Sequence, residues 1–374
     1  MKHLTDLLSG RTQPTTRMAQ AALTLLGGIG HLYGTALRLR AELYRQNRLT
    51  SYRAPCPVIS VGNLTAGGTG KTPMVLWLAQ QLRPHKRLAI VSRGYGTPAS
   101  QLPGQPAGIT LVADPDGVRL APPQAADEAA LLARNLPGVA ILTGADRVRL
   151  IRYAVAQYGV ELILMDDGFQ HLRVQRDLDL VLLDARHPLG NGSLLPGGLL
   201  REWPGALQRC DALVLTRCAT GSLFEQAQAV LTRIAPGKPL LRADHQPTAW
   251  IQPGREHPLA LSALAQTPVL AFCGIARPDS FAELLARIGT WTTGLQSFPD
   301  HCAYTRAHWD ALVHRARATG AQALVCTEKD AVKIPPDWLH AAAPALPLYF
   351  LRMEMHFLAE PVWLRQRLAE LVGH

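Results

Sequence analysis

Short apolar runs separated by amphipathic stretches recur along most of this chain. Pro57-Val58-Ile59-Ser60-Val61, Leu88-Ala89-Ile90-Val91-Ser92, Leu162-Ile163-Leu164-Met165, Leu180-Val181-Leu182-Leu183-Asp184 and Ala212-Leu213-Val214-Leu215-Thr216 show little polar alternation. Brief, continuously apolar runs of this kind predict strands buried on both faces. Met74-Val75-Leu76-Trp77-Leu78-Ala79 and residues 125–135 and 147–157 have helical spacing, and residues 139–142 read as a short strand. Residues 109–113 and 118–120 flank Asp114-Pro115-Asp116-Gly117, whose turn chemistry predicts a β-hairpin. The alternation implies an α/β fold: a parallel sheet with helices on both faces, occupying residues 54–240. Proline, glycine and polar residues then accumulate, and residues 241–265 read as a linker. A second, smaller α/β unit is expected over 266–374, with Val269-Leu270-Ala271-Phe272-Cys273, a helix from Ser280, Leu324-Val325-Cys326 and a last helix over 362–371.

The most specific chemistry lies in Gly62-Asn63-Leu64-Thr65-Ala66-Gly67-Gly68-Thr69-Gly70-Lys71-Thr72-Pro73, between the first strand and the first core helix. Strand, glycine-rich loop and helix in that order form the context in which a P-loop binds a triphosphate. Backbone N–H groups of Thr65, Ala66, Gly67, Gly68, Thr69 and Gly70 would wrap the phosphates, and the helix would turn its positive end toward them. Lys71 would reach the β- and γ-phosphates, and the Thr72 hydroxyl would ligate Mg²⁺. The strict pattern has glycine where Thr65 stands, so the Gly67-Gly68 pair is expected to supply the backbone freedom. Asp166 and Asp167 end an apolar strand downstream, where a P-loop fold places its Mg²⁺-organising carboxylate. Adjacent carboxylates need a cation or positive group nearby.

Composition narrows the partners. The chain has 374 residues, 48% hydrophobic and 18% charged, which favours packed domains over disorder. Its net charge of +10 is uneven: the arm of residues 1–53 carries Lys2, Arg11, Arg17, Arg38, Arg40, Arg45, Arg48 and Arg53 against Asp6 and Glu42. Residues 18–37 of that arm hold no charge. Thr24, His31, Thr35, Arg38 and Glu42 share one helical face, while Leu25, Leu26, Ile29, Leu32, Tyr33 and Leu37 gather on the other. A helix lying in a membrane interface, with arginines at anionic headgroups, fits this pattern better than a spanning helix or a secretory signal. An amphipathic helix packed on its own domain is the plainer alternative. The charge lacks the aromatic interleaving of a single-strand nucleic-acid platform, and no protein partner is predicted. The six cysteines are scattered without a C-x-x-C pair, as expected of reduced thiols.

Several motifs in order extend the reading. To Gly62 through Pro73 are added Ser92-Arg93-Gly94-Tyr95-Gly96, Asp166-Asp167-Gly168-Phe169-Gln170-His171, Gly190-Asn191-Gly192 with Leu195-Pro196 to Arg201-Glu202, Phe298-Pro299-Asp300-His301 with Tyr304, and Thr327-Glu328-Lys329-Asp330-Ala331-Val332-Lys333. In these the chain resembles, nearly end to end, the tetraacyldisaccharide 4'-kinase family of lipid A biosynthesis. The resemblance implies transfer of the γ-phosphate of ATP to the 4'-hydroxyl of an acylated disaccharide 1-phosphate, at the cytoplasmic face of a bacterial inner membrane. It implies a membrane-associating role for the N-terminal helix. Asp127 matches the family's catalytic acidic residue, with Ala126 and Ala129 in place of the flanking glycine and proline. His301 matches its partner histidine, with Cys302 replacing a second histidine. Glu202, followed here by Trp203, matches a glutamate placed beside Thr72, Asp166 and Asp167 at the metal. The rival reading is a P-loop GTPase or ATPase switch, or a metal-insertion accessory protein. Thr327-Glu328-Lys329-Asp330 has the wrong spacing for a guanine-reading motif.

Overall fold

A computed structural model describes residues 16–94, 104–218, 221–255, 257–342 and 346–373. Residues 1–15 of the basic arm, with Lys2, Asp6 and Arg11, and Tyr95-Gly96 of the Ser92-Arg93-Gly94-Tyr95-Gly96 motif lie outside the described residues. Among the described residues thirteen strands form one sheet, in the order β11-β10-β12-β13-β9-β8-β7-β1-β6-β2-β5-β3-β4. Its first half comprises β1 (Val58–Asn63), β2 (Leu88–Ser92), β3 (Thr110–Asp114), β4 (Gly117–Val118), β5 (Ala140–Thr143), β6 (Leu162–Asp166), β7 (Leu178–Asp184) and β8 (Ala212–Thr216). Strand β1 sits centrally and runs parallel to β6 and β7, so the loop that follows it opens at the middle of the sheet's C-terminal edge. The hairpin at 114–117 forms as expected, with β3 antiparallel to β4.

Both faces are covered because each strand alternates between two cores. Ile59 and Val61 pack with Met74, Val75 and Leu78 of α2 (Lys71–Leu82) and with Leu132 of α3 (Asp127–Asn135). Val58 faces the other way, toward Leu150, Ile151 and Ala154 of α4 (Arg147–Tyr158). Asp146 caps α4, its carboxylate accepting from the Val148 and Arg149 N–H groups.

The first part of the segment read as a linker, through Ile251, is strand. Strand β9 (Leu240–Ile251) pairs parallel with β8 over Leu240 to Arg242, then antiparallel with β13 (Leu348–Phe357) over Ala243 to Ile251. It is the seam between the halves. Its pattern looks like loop because Pro247 sits in it, opposite Met353, where the register shifts; proline is tolerated in a strand at such an irregularity. Beyond it β10 (Val269–Cys273), β11 (Thr292–Ser297) and β12 (Ala323–Thr327) run parallel. Val269, Ala271 and Cys273 pack toward Phe281 and Leu285, whereas Leu270 and Phe272 pack toward Trp309 and Leu312.

The N-terminal helix α1 (Arg17–Arg45) is longer than its uncharged stretch. Its closest approach to the protein is through glycines. A Cβ at Gly30 would come 2.9 Å from the Leu194 carbonyl oxygen, and one at Gly34 would collide with Leu194 and Trp203. Leu25 and Leu32 remain 69% and 76% exposed. Thr24 and Thr35 hydroxyls donate to the carbonyls of Gln20 and His31 within the helix, and Arg38 stacks on Trp203. Among the described residues no helix is long and apolar enough to cross a membrane.

Candidate active site

The loop after β1 is held from three sides. Ala66 N–H donates to the Leu199 carbonyl at 2.7 Å, and Thr65 bridges antiparallel to Leu200. Asn63 Nδ2 donates to the Gly67 carbonyl and to Thr69 Oγ1, at 3.3 and 3.2 Å. Thr216 Oγ1, at the end of β8, donates to the Thr69 carbonyl at 3.0 Å. Thr65 therefore lies in extended pairing that any residue adopts, and the left-handed turns fall at Gly67 (φ 120°) and Gly70 (φ 92°). This accounts for threonine where the strict pattern has glycine. Gly70 caps α2, leaving the first N–H groups of that helix facing the cradle.

The carboxylate motif docks directly on this loop. Gly62 has no room for a Cβ because Phe169 lies against it, and Gln170 Nε2 donates to the Asn63 carbonyl at 2.9 Å. Asp167, in a left-handed conformation (φ 54°), receives Arg201 Nη1 at 2.8 Å on both oxygens and lies 3.5 Å from Lys71 Nζ. Burial alone would push the Asp167 carboxyl up, but Lys71 and Arg201 outweigh it and hold it below the usual range. Asp166 is fully enclosed, and its Oδ1 has no hydrogen-bond partner. Burial first, and the neighbouring Glu128 second, raise its carboxyl to about 7 against the pull of Lys71. Glu202 is buried and pairs with Arg209 at 2.9–3.0 Å through both oxygens.

Asp127 and His301 are 174 residues apart and meet. His301 Nδ1 lies 3.2 Å from Asp127 Oδ2, at the start of α3. His301 Nε2 lies 3.2 Å from Lys329 Nζ, which also reaches Asp300 at 3.3 Å. A lysine ammonium can only donate, so Nε2 accepts and the proton sits on Nδ1, directed at Asp127. His301 holds a left-handed backbone (φ 57°), as Asp167 does; strain of this kind concentrates at working sites. Lys333 Nζ approaches the same Asp127 oxygen at 3.7 Å.

The structure thus gathers the loop, Lys71, Asp166 and Asp167 at one rim and joins Asp127 to His301. Among the described residues no three His, Cys, Asp or Glu side chains are already arranged as a metal cage. Reading by motif passed over Arg201, Lys329, Lys333 and His245, whose ring rests against Gly70. The first three lie inside conspicuous motifs; His245 carries no sequence signal. A cavity of about 600 Å³ lined by Arg83, Lys86, Gly138 and Glu161 lies at the opposite, N-terminal ends of the strands, away from this chemistry.

A central glycine-rich loop followed by lysine at a helix start, with carboxylates at the neighbouring strand end, is the arrangement of P-loop phosphotransferases. The sequence profile of the family described as tetraacyldisaccharide-1-P 4'-kinase matches residues 22–372. Tetraacyldisaccharide 4'-kinase of Anaeromyxobacter dehalogenans (strain 2CP-C) is 41% identical over 317 residues, covering 84% of this chain and 82% of the relative. That of Syntrophotalea carbinolica is 40% identical over 349 residues, covering 92% and 91%. The crystal structure of Aquifex aeolicus LpxK in complex with ATP superposes with a TM-score of 0.76 at 28% identity, covering 94% of this chain and 99% of that one. The chain belongs to the tetraacyldisaccharide-1-phosphate 4'-kinase family, and is with it an ATP-dependent kinase that acts on a sugar hydroxyl.

Proposed function

We propose that this enzyme phosphorylates the 4'-hydroxyl of a tetraacyldisaccharide 1-phosphate, with Asp127 as the base and His301 as its orienting partner. The observation that carries the reading is the 3.2 Å contact between Asp127 Oδ2 and His301 Nδ1 across the two halves of the sheet. A sugar hydroxyl is a poor nucleophile near neutral pH, so a fixed carboxylate that takes its proton as the new O–P bond forms lowers the barrier. With Lys329 donating to Nε2, His301 holds the carboxylate by its Nδ1–H. The triphosphate would lie along Thr65 to Thr72, with Lys71 offsetting charge that builds on the transferring group.

The donor set fits Mg²⁺. Asp166 is a buried carboxylate with an orphaned oxygen, and Thr72 lies in the first turn of α2. Asp167 and Glu202 each hold an arginine that the ion would have to share or displace. When bound, the ion would offset charge on the phosphate oxygens. The lipid acceptor resides in a membrane, and the exposed Leu25, Ile29 and Leu32 with the arginines of α1 suit an interfacial anchor on the cytoplasmic face of the inner membrane.

The test supplies ATP, Mg²⁺ and acyl-disaccharide 1-phosphate in detergent micelles and follows phosphate transfer. Asp127→Asn and His301→Ala are expected to reduce kcat far more than ATP affinity, with the double variant little worse than the worse single one. Wild-type turnover by Asp127→Asn would overturn the base assignment.

A further inference from the structure

Helix α3, which carries Asp127 at its first position, is gripped at both ends by one short segment of the distant half. That segment comprises the short helix Glu328–Ala331 and the turn to Lys333. At the far end of α3, Asn135 Nδ2 donates to Glu328 Oε1 at 2.8 Å, on a carboxyl that is itself buried. At the near end, Lys333 Nζ lies 3.7 Å from Asp127 Oδ2 and 3.0 Å from Asp330 Oδ1.

Lys333 cannot swing freely. Its side chain is 4% exposed, and its ammonium stands over the Tyr304 ring at 5.0 Å. Asp330 is fully buried and fixed by donors from three elements: Gly274 N–H at 3.1 Å, Tyr304 hydroxyl at 2.9 Å and Thr327 hydroxyl at 2.6 Å. A buried cation must keep its carboxylates, and here one of them is immobile. His301 and Lys333 both address Oδ2 of Asp127. Oδ1 takes part in neither contact.

We propose that Glu328 and Lys333 form a two-point clamp on α3, and that Lys333 is a positioning residue that sets the orientation of the Asp127 carboxylate toward the acceptor hydroxyl. The proposal rests on Asp127 being the base. It goes beyond the Asp127–His301 pair by making catalysis depend on a second, buried contact between the halves.

Lys333→Met alone leaves Asp330 buried without its cation and is expected to destabilise the fold, so the decisive variant is Lys333→Met combined with Asp330→Asn. Removing both charges together spares the interior an unpaired carboxylate. The expected result is a melting temperature close to wild type and an ATP dissociation constant within about threefold, with kcat reduced about tenfold or more, part of the ~100- to 10,000-fold that a general base supplies. Glu328→Gln, which keeps an oxygen for Asn135, should retain most of kcat, and Glu328→Ala should lower it. Recovery of kcat together with the melting temperature in the double variant would reduce Lys333 to a structural role and overturn the clamp. Asp127→Asn, assayed alongside, separates the two ideas. If it is active the base reading fails; if it is inactive while the Lys333 variant turns over normally, the clamp alone fails.

Discussion

Replacing Gly70 by alanine tests whether the phosphate cradle is fitted against the seam strand as closely as the structure places it. Gly70 has φ 92° and ψ 26°. A side chain in a left-handed conformation costs about 1–2 kcal/mol for an L-residue. The added Cβ would also collide with Cε1 and Nε2 of His245 and stand 3.4 Å from its Cδ2. His245 belongs to β9 and is paired with Met355, so its backbone cannot retreat without disturbing the seam. Overpacking of this kind costs about 1–3 kcal/mol. The sum is roughly 2–5 kcal/mol. With an unfolding entropy of about 2.1 cal/mol/K per residue, it corresponds to a fall in Tm of ~3–6 °C for a chain of this length. The assay is thermal and urea unfolding of nucleotide-free wild type, Gly70→Ala, His245→Ala and the double variant. Removing the imidazole relieves the collision but not the backbone strain, so the double variant should be more stable than additivity requires by about 1–3 kcal/mol. Strict additivity, or a Gly70→Ala protein as stable as wild type, would refute the contact.

Other expectations follow from the same geometry. Lys71→Ala should remove a few kcal/mol of transition-state stabilisation while leaving the unfolding transition near wild type; ordinary turnover at saturating ATP and Mg²⁺ would dismiss the cradle. Arg201→Ala strips Asp167 of its two 2.8 Å contacts and leaves Lys71 as its cation, so kcat/KM for ATP should fall by about 1–3 kcal/mol, whereas an unchanged value would show that Arg201 only packs. Burial, reinforced by Arg217, pushes the His245 imidazole down to about 4. The unfolded chain, with histidine near 6.5, therefore binds more protons below that pH. This contribution to stability is full above pH ~6.5 and is lost as pH falls toward 4, by at most about 2 kcal/mol at pH 5. The raised Asp166 carboxyl works in the opposite direction over part of this window, so the readout is the difference between wild type and His245→Gln in their pH 7.5-to-5 melting shift. An equal shift in both would exclude the histidine. Leu25→Asp with Leu32→Asp should weaken co-sedimentation with anionic vesicles in low salt and in high salt alike, and undiminished sedimentation would remove the apolar face from the anchor.

Local pattern alone determined a good part of this protein. The strands around β1, the hairpin at 114–117 and the helices after them were legible because burial on both faces writes itself into continuous apolar runs. The glycine-rich turn after β1 was legible because backbone that must turn left-handed selects glycine at particular positions. Resemblance carried Asp127 and His301, but it did not tell which nitrogen faces the carboxylate; Lys329, on another element, decides that. Tertiary structure alone turned the Pro247-bearing linker into the seam of one continuous sheet, since its partners on either side supply the hydrogen bonds its polar sequence does not advertise. The N-terminal helix is a similar case: its leucines read as the apolar face of an interfacial helix, but which of its residues meet the protein was not legible; glycines make that close contact, because they let Leu194 and Trp203 approach the backbone. His245 against Gly70, and Lys333 between Asp127 and Asp330, join residues from opposite ends of the chain. Periodicity reports which face of an element is buried; which distant charge or ring meets it there is settled only when the chain closes on itself.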